Sequence, residues 1–339
     1  MKRITLLLTL VSLTLAQADA YDFKVDGIYY NKNGNKATVT YKSMGKKSYS
    51  GKVIIPNMVN YGGINYDVTA IGDYALLYCD QVTEVSLPST ITSIGQSAFY
   101  GCEALTSVEL PISITTMKDM AFHGCTNLTT INIPKNLTTI NAATFAFCNS
   151  LKHIDIPNTV TDIKESAFLD AGLTNVIIPN SITTIAERVF SQCNELTSVT
   201  IGSQVKHIEE NAFDLCFNLR KIFCLAVIPP TMAGKNCFNI TKMDGYNTYD
   251  LATLYVPKQS VQAYKATQWW CDFANIKAIG SDDDPADANG DGEVNISDIN
   301  KVIEFILAGN QDTAGDVNDD KEVNIADINF IIKVILQSN

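Results

Sequence analysis

The chain has 339 residues and a formal net charge of −11, but the charge is not evenly spread. From Ser281 onward 14 Asp and Glu face 3 Lys and Arg, leaving 22 acidic and 22 basic residues among the first 280. Neither part carries the basic footprint that nucleic acid requires, and a chain this long needs two domains or one elongated array to bury its apolar residues.

The chain opens with Lys2 and Arg3, an apolar run over 4–15, and the small-residue pattern Ala18-Asp19-Ala20. This is the layout of a secretory signal peptide over 1–20, cleaved after Ala20. The alternative, a membrane anchor, needs roughly 18 or more apolar residues, and no later stretch reaches that either. The mature chain is therefore expected to be exported and to span no membrane. Residues 21–52 follow, with Phe23 to Tyr30 and Ala37 to Tyr41 alternating as a hairpin does.

A period of 23 residues dominates the middle of the chain. Pro88, Pro111, Pro134, Pro157 and Pro179 stand 23, 23, 23 and 22 residues apart, and Gly202 takes the next place. Two further columns keep the register: Phe99, Phe122, Phe145, Phe168, Phe190 and Phe213, then Cys102, Cys125, Cys148, Ala171, Cys193 and Cys216. An earlier unit ends at Cys79 after an insertion, which makes seven units over 53–222. Within one unit, Val108 and Leu110 should face inward and Ser107 and Glu109 outward, because side chains alternate across a strand. One such unit cannot bury its apolar side alone, whereas a stack can. The Phe column is predicted to be a continuous internal spine.

The run Ile91-Thr-Ser-Ile94-Gly-Gln-Ser-Ala98-Phe99-Tyr-Gly-Cys102-Glu-Ala-Leu105-Thr-Ser-Val108 resembles the BspA-like leucine-rich repeats of bacterial surface proteins. The resemblance implies an α+β chain: a leucine-rich-repeat solenoid with β-rich caps at 21–52 and 223–280. It also implies adhesion to host proteins or other bacteria, and a secreted or cell-surface location with the periplasm left open.

A linker at 281–286 leads to two acidic loops, 29 residues apart. The first places oxygen-bearing side chains at Asp287, Asn289, Asp291, Glu293, Asn295 and Asp298; the second repeats them at Asp316, Asn318, Asp320, Glu322, Asn324 and Asp327. Calcium is a hard cation that takes six to eight oxygens, and a 12-residue loop of this pattern wraps them round it. Glu293 and Glu322 would ligate through their carbonyls, Asn295 and Asn324 through water. Each loop precedes an apolar stripe at helical spacing: Ile299, Val302, Ile303, Ile306, then Ile328, Ile331, Ile332, Ile335. The duplication, with Asp at the loop end, resembles a type I dockerin over 287–339, an all-α double EF-hand-type domain. Two Ca2+ sites are expected, the second weaker because Lys321 stands where the first loop has Gly292. Three carboxylates per loop repel one another without metal, so the domain is expected to fold only with calcium. Cellulosomal dockerins select partners through small polar pairs at loop positions 10 and 11. Here those pairs are Ile296-Ser297 and Ile325-Ala326, which puts binding of a standard cohesin in doubt.

No nucleophile motif, zinc-protease motif or phosphate loop occurs, and no carboxylate pair stands out as a glycosidase acid and base, so no active site is read. Six of the nine Cys occupy one repeat column and read as small buried residues; a bridge between two of Cys224, Cys237 and Cys271 stays open. His123, His153 and His207 fall at different repeat offsets and form no triad. Trp269-Trp270 either seals the core or offers a sugar platform. The remaining candidate is surface: the outward strand columns, with Glu109, His153, Asp155 and Phe223 as the partner-binding residues, together with Ile296 and Ile325 on the calcium module. The expected function is a non-catalytic, monomeric binding or adhesion protein whose module attaches to a cohesin-like, host or bacterial protein. The alternative is a glycan-binding or scaffold-attached accessory of a polysaccharide-degrading assembly. In a third reading the module clamps onto its own solenoid.

Overall fold

The computed structural model describes residues 20–43, 46–238, 247–280, 285–289, 293–308, 315–318 and 322–338. The predicted signal segment lies outside these residues except for Ala20.

The described chain begins as an antiparallel meander of Phe23–Val25, Ile28–Asn33 and Lys36–Thr40. Its first turn is Asp26-Gly27, with φ of 46° and 87°. Two successive left-handed residues twist a two-residue hairpin to match its strands, and Asp-Gly adopts that turn at least cost. Lys36–Thr40 then pairs in parallel with Ile64–Ile71, and there the hairpin cap passes into the repeat array.

Two parallel ladders run along the array. One joins Gly51–Ile54, Val82–Ser86, Ser107–Val108 and Thr130–Ile131, then resumes as Asn175–Ile178, Ser198–Ile201, Lys221–Cys224, Thr253–Val256 and Asn275–Ala278. Residues 151–157 between the two stretches carry no strand. The other ladder includes Ser93–Ile94 beside Thr116–Met117, Thr139–Ile140 beside Asp162–Ile163, and Thr184–Ile185 beside His207–Ile208. Partners such as Ser198 and Lys221 lie one 23-residue period apart, so the sequence repeat is the strand register. Proline turns the chain between ladders. In the five coils that carry this proline its carbonyl accepts the amide three residues on, as Ile114 N to Pro111 O at 3.0 Å and Leu137 N to Pro134 O at 2.9 Å.

The Phe column is the spine expected of it. Phe99, Phe122, Phe145, Phe168, Phe190 and Phe213 are wholly buried, and successive rings stack at 4.8, 5.8, 5.5, 5.4 and 5.5 Å. That step is set by the spacing of neighbouring strands, about 4.8 Å. The column continues to Phe238, 5.1 Å from Phe213, a position hidden in the sequence by the irregular stretch before it. Tyr249, Trp270 and Phe273 close the end with edge-on contacts to Phe238. Trp270 is buried and its indole Nε1 donates to Pro230 O at 2.7 Å, so it seals the core; Trp269 is only half-buried.

All nine cysteines are free, and every one except Cys271 is buried. The column thiols donate to a carbonyl of the preceding coil: Cys125 Sγ to Phe99 O at 3.2 Å, Cys148 to Phe122 O at 3.3 Å, Cys193 to Phe168 O at 3.1 Å. The remaining side of each coil carries two left-handed residues. Ser97, Met120, Ala143, Ser166, Arg188 and Asn211 form one set, with φ between 49° and 59°; Gly101, Gly124, Phe147, Asp170, Gln192 and Leu215 form the other. Their amides point along the stack, as Ser97 N to Asp119 O at 3.0 Å and Phe147 N to Leu169 O at 2.7 Å.

Four α-helices are described: α1 (Thr248–Leu251) and α2 (Val261–Ala266) beside the last ladder strands, then α3 (Ile296–Leu307) and α4 (Ile325–Ser338). No described helix is long and apolar enough to cross a membrane.

Candidate ligand-binding face and terminal helical module

The outward columns of the first ladder divide into two parts. Ser107, Glu109, Thr130, Asn132, His153 and Asp155 stand in solvent. Further along, Asn175, Ser198, Thr200 and Phe223 are buried, although alternation points them outward. The cause is α4, which lies over this end of the sheet. Phe223 stacks on Tyr255 at 4.8 Å and meets the ring of Phe330 edge-on at 5.6 Å. These three, with Leu225, Ile331 and Val334, belong to a hydrophobic cluster separate from the rod's core, against which Ile177 and Ile279 also pack. At the rim, Lys333 Nζ lies 2.7 Å from Asp155 Oδ1, and His153 Nε2 lies 3.6 Å from the same oxygen. The neighbouring His153 imidazole, then the Lys333 ammonium, hold the Asp155 carboxyl well below the usual carboxylate range.

Of the residues singled out in the sequence, His153 and Asp155 thus come together, Glu109 lies farther along the same groove, and Phe223 is covered. The groove, about 840 Å³, is lined by Glu109, Asn132, His153 and Asp155 from the rod and by Lys333 and Leu336 from α4. Asn132 is fixed in it: its Oδ1 accepts from Leu110 N at 2.7 Å and its Nδ2 donates to Leu110 O at 2.8 Å. Ile296 and Ile325 are both exposed; Ile325 lies in a smaller cleft with His153, Asp155 and Phe330, so the two copies of the loop meet different surroundings.

The described parts of the two acidic loops are built alike. Asp298 Oδ2 accepts from Asn295 N at 2.8 Å and Oδ1 from Asn289 N at 3.2 Å; Asp327 repeats this with Asn324 N at 2.8 Å and Asn318 N at 3.2 Å. Asn295 Oδ1 caps α3 by accepting from Ser297 N, and Asn324 Oδ1 accepts likewise from Ala326 N. Asp298 and Asp327 are wholly buried, and Asp287 and Asn318 nearly so. Carboxylates do not leave water without compensation, and here the loop amides supply it. Glu293 and Glu322 have exposed side chains. Among the described residues no three such groups form a metal cluster; Asp291, Asp320, Gly292 and Lys321 lie outside them.

The predicted helix stripes need adjustment. Ile303 is exposed, while Phe330 and Val334 are buried. The sequence did carry a signal for this: with Phe330 and Val334 added to Ile328, Ile331, Ile332 and Ile335, the apolar face of α4 is too wide for α3 alone. Two ring arrangements also escaped sequence reading. Tyr100 and His123 stack at 4.4 Å, with His123 5.0 Å from Phe147, on the turn side of the coils. His207 Nδ1 lies 2.6 Å from Thr231 Oγ1.

A family model described as the BspA type leucine rich repeat region matches residues 69–194 and 163–255 in six copies. These residues are more than half the chain and run into the stretch read as the C-terminal cap. No curated protein matches. Among solved structures, a leucine rich cell surface protein from Faecalibacterium prausnitzii is 21% identical over 76% of this chain and 95% of its own, with a TM-score of 0.47. The leucine rich repeat protein of T. pallidum is 27% identical over 59% of this chain and 81% of its own, at 0.42. A leucine-rich repeat protein from Bacteroides ovatus is 21% identical over 77% and 91%, at 0.33.

Proposed function

The chain belongs to the BspA-type leucine-rich-repeat family, and from that premise we propose that it is an exported, cell-surface binding protein that acts without catalysis. Proteins of this repeat type serve surface interactions. The observation that carries the reading here is the groove of Glu109, Asn132, His153 and Asp155. It is a row of polar side chains beside the ladder strands, open to solvent, and offers room for an extended segment of a protein partner. Rigid presentation lowers the ordering cost of binding. The test is to immobilise the full chain and measure its binding to extracellular-matrix proteins and to polysaccharides. A Glu109→Ala/Asn132→Ala/His153→Ala variant should lose at least tenfold in affinity for a protein ligand. Equal affinity, or selective binding of polysaccharide alone, would overturn the proposal.

The C-terminal module is proposed to be dockerin-like and to hold two calcium ions. Asp287, Asn289, Asp291 and Asp298 would supply oxygens in one loop, and Asp316, Asn318, Asp320 and Asp327 in the other. Glu293 and Glu322 would add their carbonyls, and Asn295 and Asn324 a water-bridged oxygen. Bound calcium would neutralise the crowded carboxylates. The loops' own amides already orient Asp298 and Asp327, which leaves the metal less ordering to do. Calorimetric titration of the full chain with calcium should give two sites, and no heat of binding would refute the reading.

A further inference from the structure

We propose that α4 is an autoinhibitory lid: it occupies the apolar end of the ladder face in place of an amphipathic helix from a protein partner, and its release opens that end for binding. The inference rests on the reading of the outward face as a binding surface, and its site adjoins the polar groove, with which it shares Asp155 and Lys333.

Four observations carry it. The outward column is polar along most of its length, at Glu109, Asn132, Asp155 and Thr200, but turns apolar at Ile177, Phe223 and Tyr255. A rod that needed only solvation would have no use for two aromatic rings there. Second, the contact under the lid is separate from the rod's core. Phe223, Leu225 and Tyr255 form a cluster apart from the Phe-spine core, which is complete beneath them. Third, the fit is one-sided. The module is a duplication, yet the places of Phe330 and Lys333 are taken in α3 by Lys301 and Glu304, which pair with each other at 3.1 Å. Only α4 brings a ring to Phe223 and a cation to Asp155, so the departures match on both sides of the contact. Fourth, the contact is imperfect. Ser198 Oγ and Thr200 Oγ1, on the columns between Ile177 and Phe223, are buried with no hydrogen-bond partner in the protein. Burying a hydroxyl unpaired is a cost that an open face avoids, which favours a reversible cover over a permanent one.

The present occupant defines the partner's chemistry. It is a helix with an aromatic residue at i, a cation at i+3 and a β-branched residue at i+4, the places of Phe330, Lys333 and Val334. Asp155 supplies the complementary charge and Phe223 with Tyr255 the ring surface.

The test uses the full chain, a Phe330→Asp/Lys333→Glu variant, and a fluorescent peptide of residues 322–338 as probe. Hydrogen exchange should show the 198–201 and 221–224 strands losing protection in the variant, with the Phe spine coils unchanged. The peptide should bind the variant at least tenfold more tightly than the wild type, and a further Phe223→Ala substitution should abolish that binding. Adding Asp155→Lys to Lys333→Glu alone should restore the closed state. If exchange is the same in wild type and variant, α4 is no lid. If exchange rises but the peptide binds neither form, the face is no helix receptor. The groove variant Glu109→Ala/Asn132→Ala/His153→Ala leaves Phe223 and Tyr255 intact. A failure of the proposed groove function would therefore appear in that variant and not in the peptide experiment.

Discussion

The buried thiols make the rod vulnerable to alkali in a way that can be worked out from the structure. Burial pushes Cys148 and Cys193 up to about 12 and Cys224 up to about 11, from an ordinary value of 9.0. A folded value above the unfolded one means that the folded chain keeps protons the unfolded chain has lost. The stabilisation is therefore complete below pH 9 and is lost as pH rises from 9 through 12. Linkage gives about 1.4 kcal/mol per thiol at one pH unit above the unfolded value. These three thiols alone should thus remove about 4 kcal/mol between pH 8 and pH 10, a large part of a typical stability of about 5–15 kcal/mol. Urea unfolding at the two pH values measures the difference. The Cys148→Ala variant should show a pH-dependent loss smaller by about 1 kcal/mol, whatever its stability at pH 8. Equal midpoints at pH 8 and 10, or an unchanged pH dependence in the variant, would refute the reasoning.

Phe145→Ala should cost about 3–5 kcal/mol, because it empties a wholly buried place between two stacked rings; a loss under about 1 kcal/mol in urea titration would mean that the spine is not what holds the coils. Trp270→Ala should destabilise by a similar amount, while Trp269→Ala, half-buried, should cost far less; thermal melts of the pair decide it. At pH 8 a thiol reagent should modify Cys271 quickly and the remaining cysteines only after unfolding, and more than one fast-reacting thiol would contradict the buried column. Calcium should bind more weakly in the loop that starts at Asp316 than in the one that starts at Asp287, and equal affinities in Asp287→Ala and Asp316→Ala variants would refute this.

The repeat array was legible because its signals are local and redundant. A proline at each turn, a ring in each core place and a thiol beside it recur at a fixed step, and each copy confirms the next. Phe238 escaped because the chain wanders before it, so no periodic neighbour announces it, although stacking still brings it onto Phe213. The outward columns were legible as columns but not as surroundings. Alternation decides which way Phe223 points, whereas only the three-dimensional path after residue 280 decides that a helix lies on it. The wide apolar face of α4 and the apolar outward residues Ile177, Phe223 and Tyr255 were the sequence signs of a second contact. The two acidic loops were legible through spacing alone, and the amide bonds that hold Asp298 and Asp327 have no counterpart in composition.

The paired left-handed residues in each coil bear on how the rod grows. Residues such as Met120, Arg188 and Phe147 resist that backbone shape when alone, and their amides find partners only on the adjoining layer. A coil therefore has little reason to take its form before a neighbour exists to template it. Growth should be processive, each finished layer acting as the mould for the next, and a chain shortened by whole periods should remain ordered except at its newest, unmatched layer.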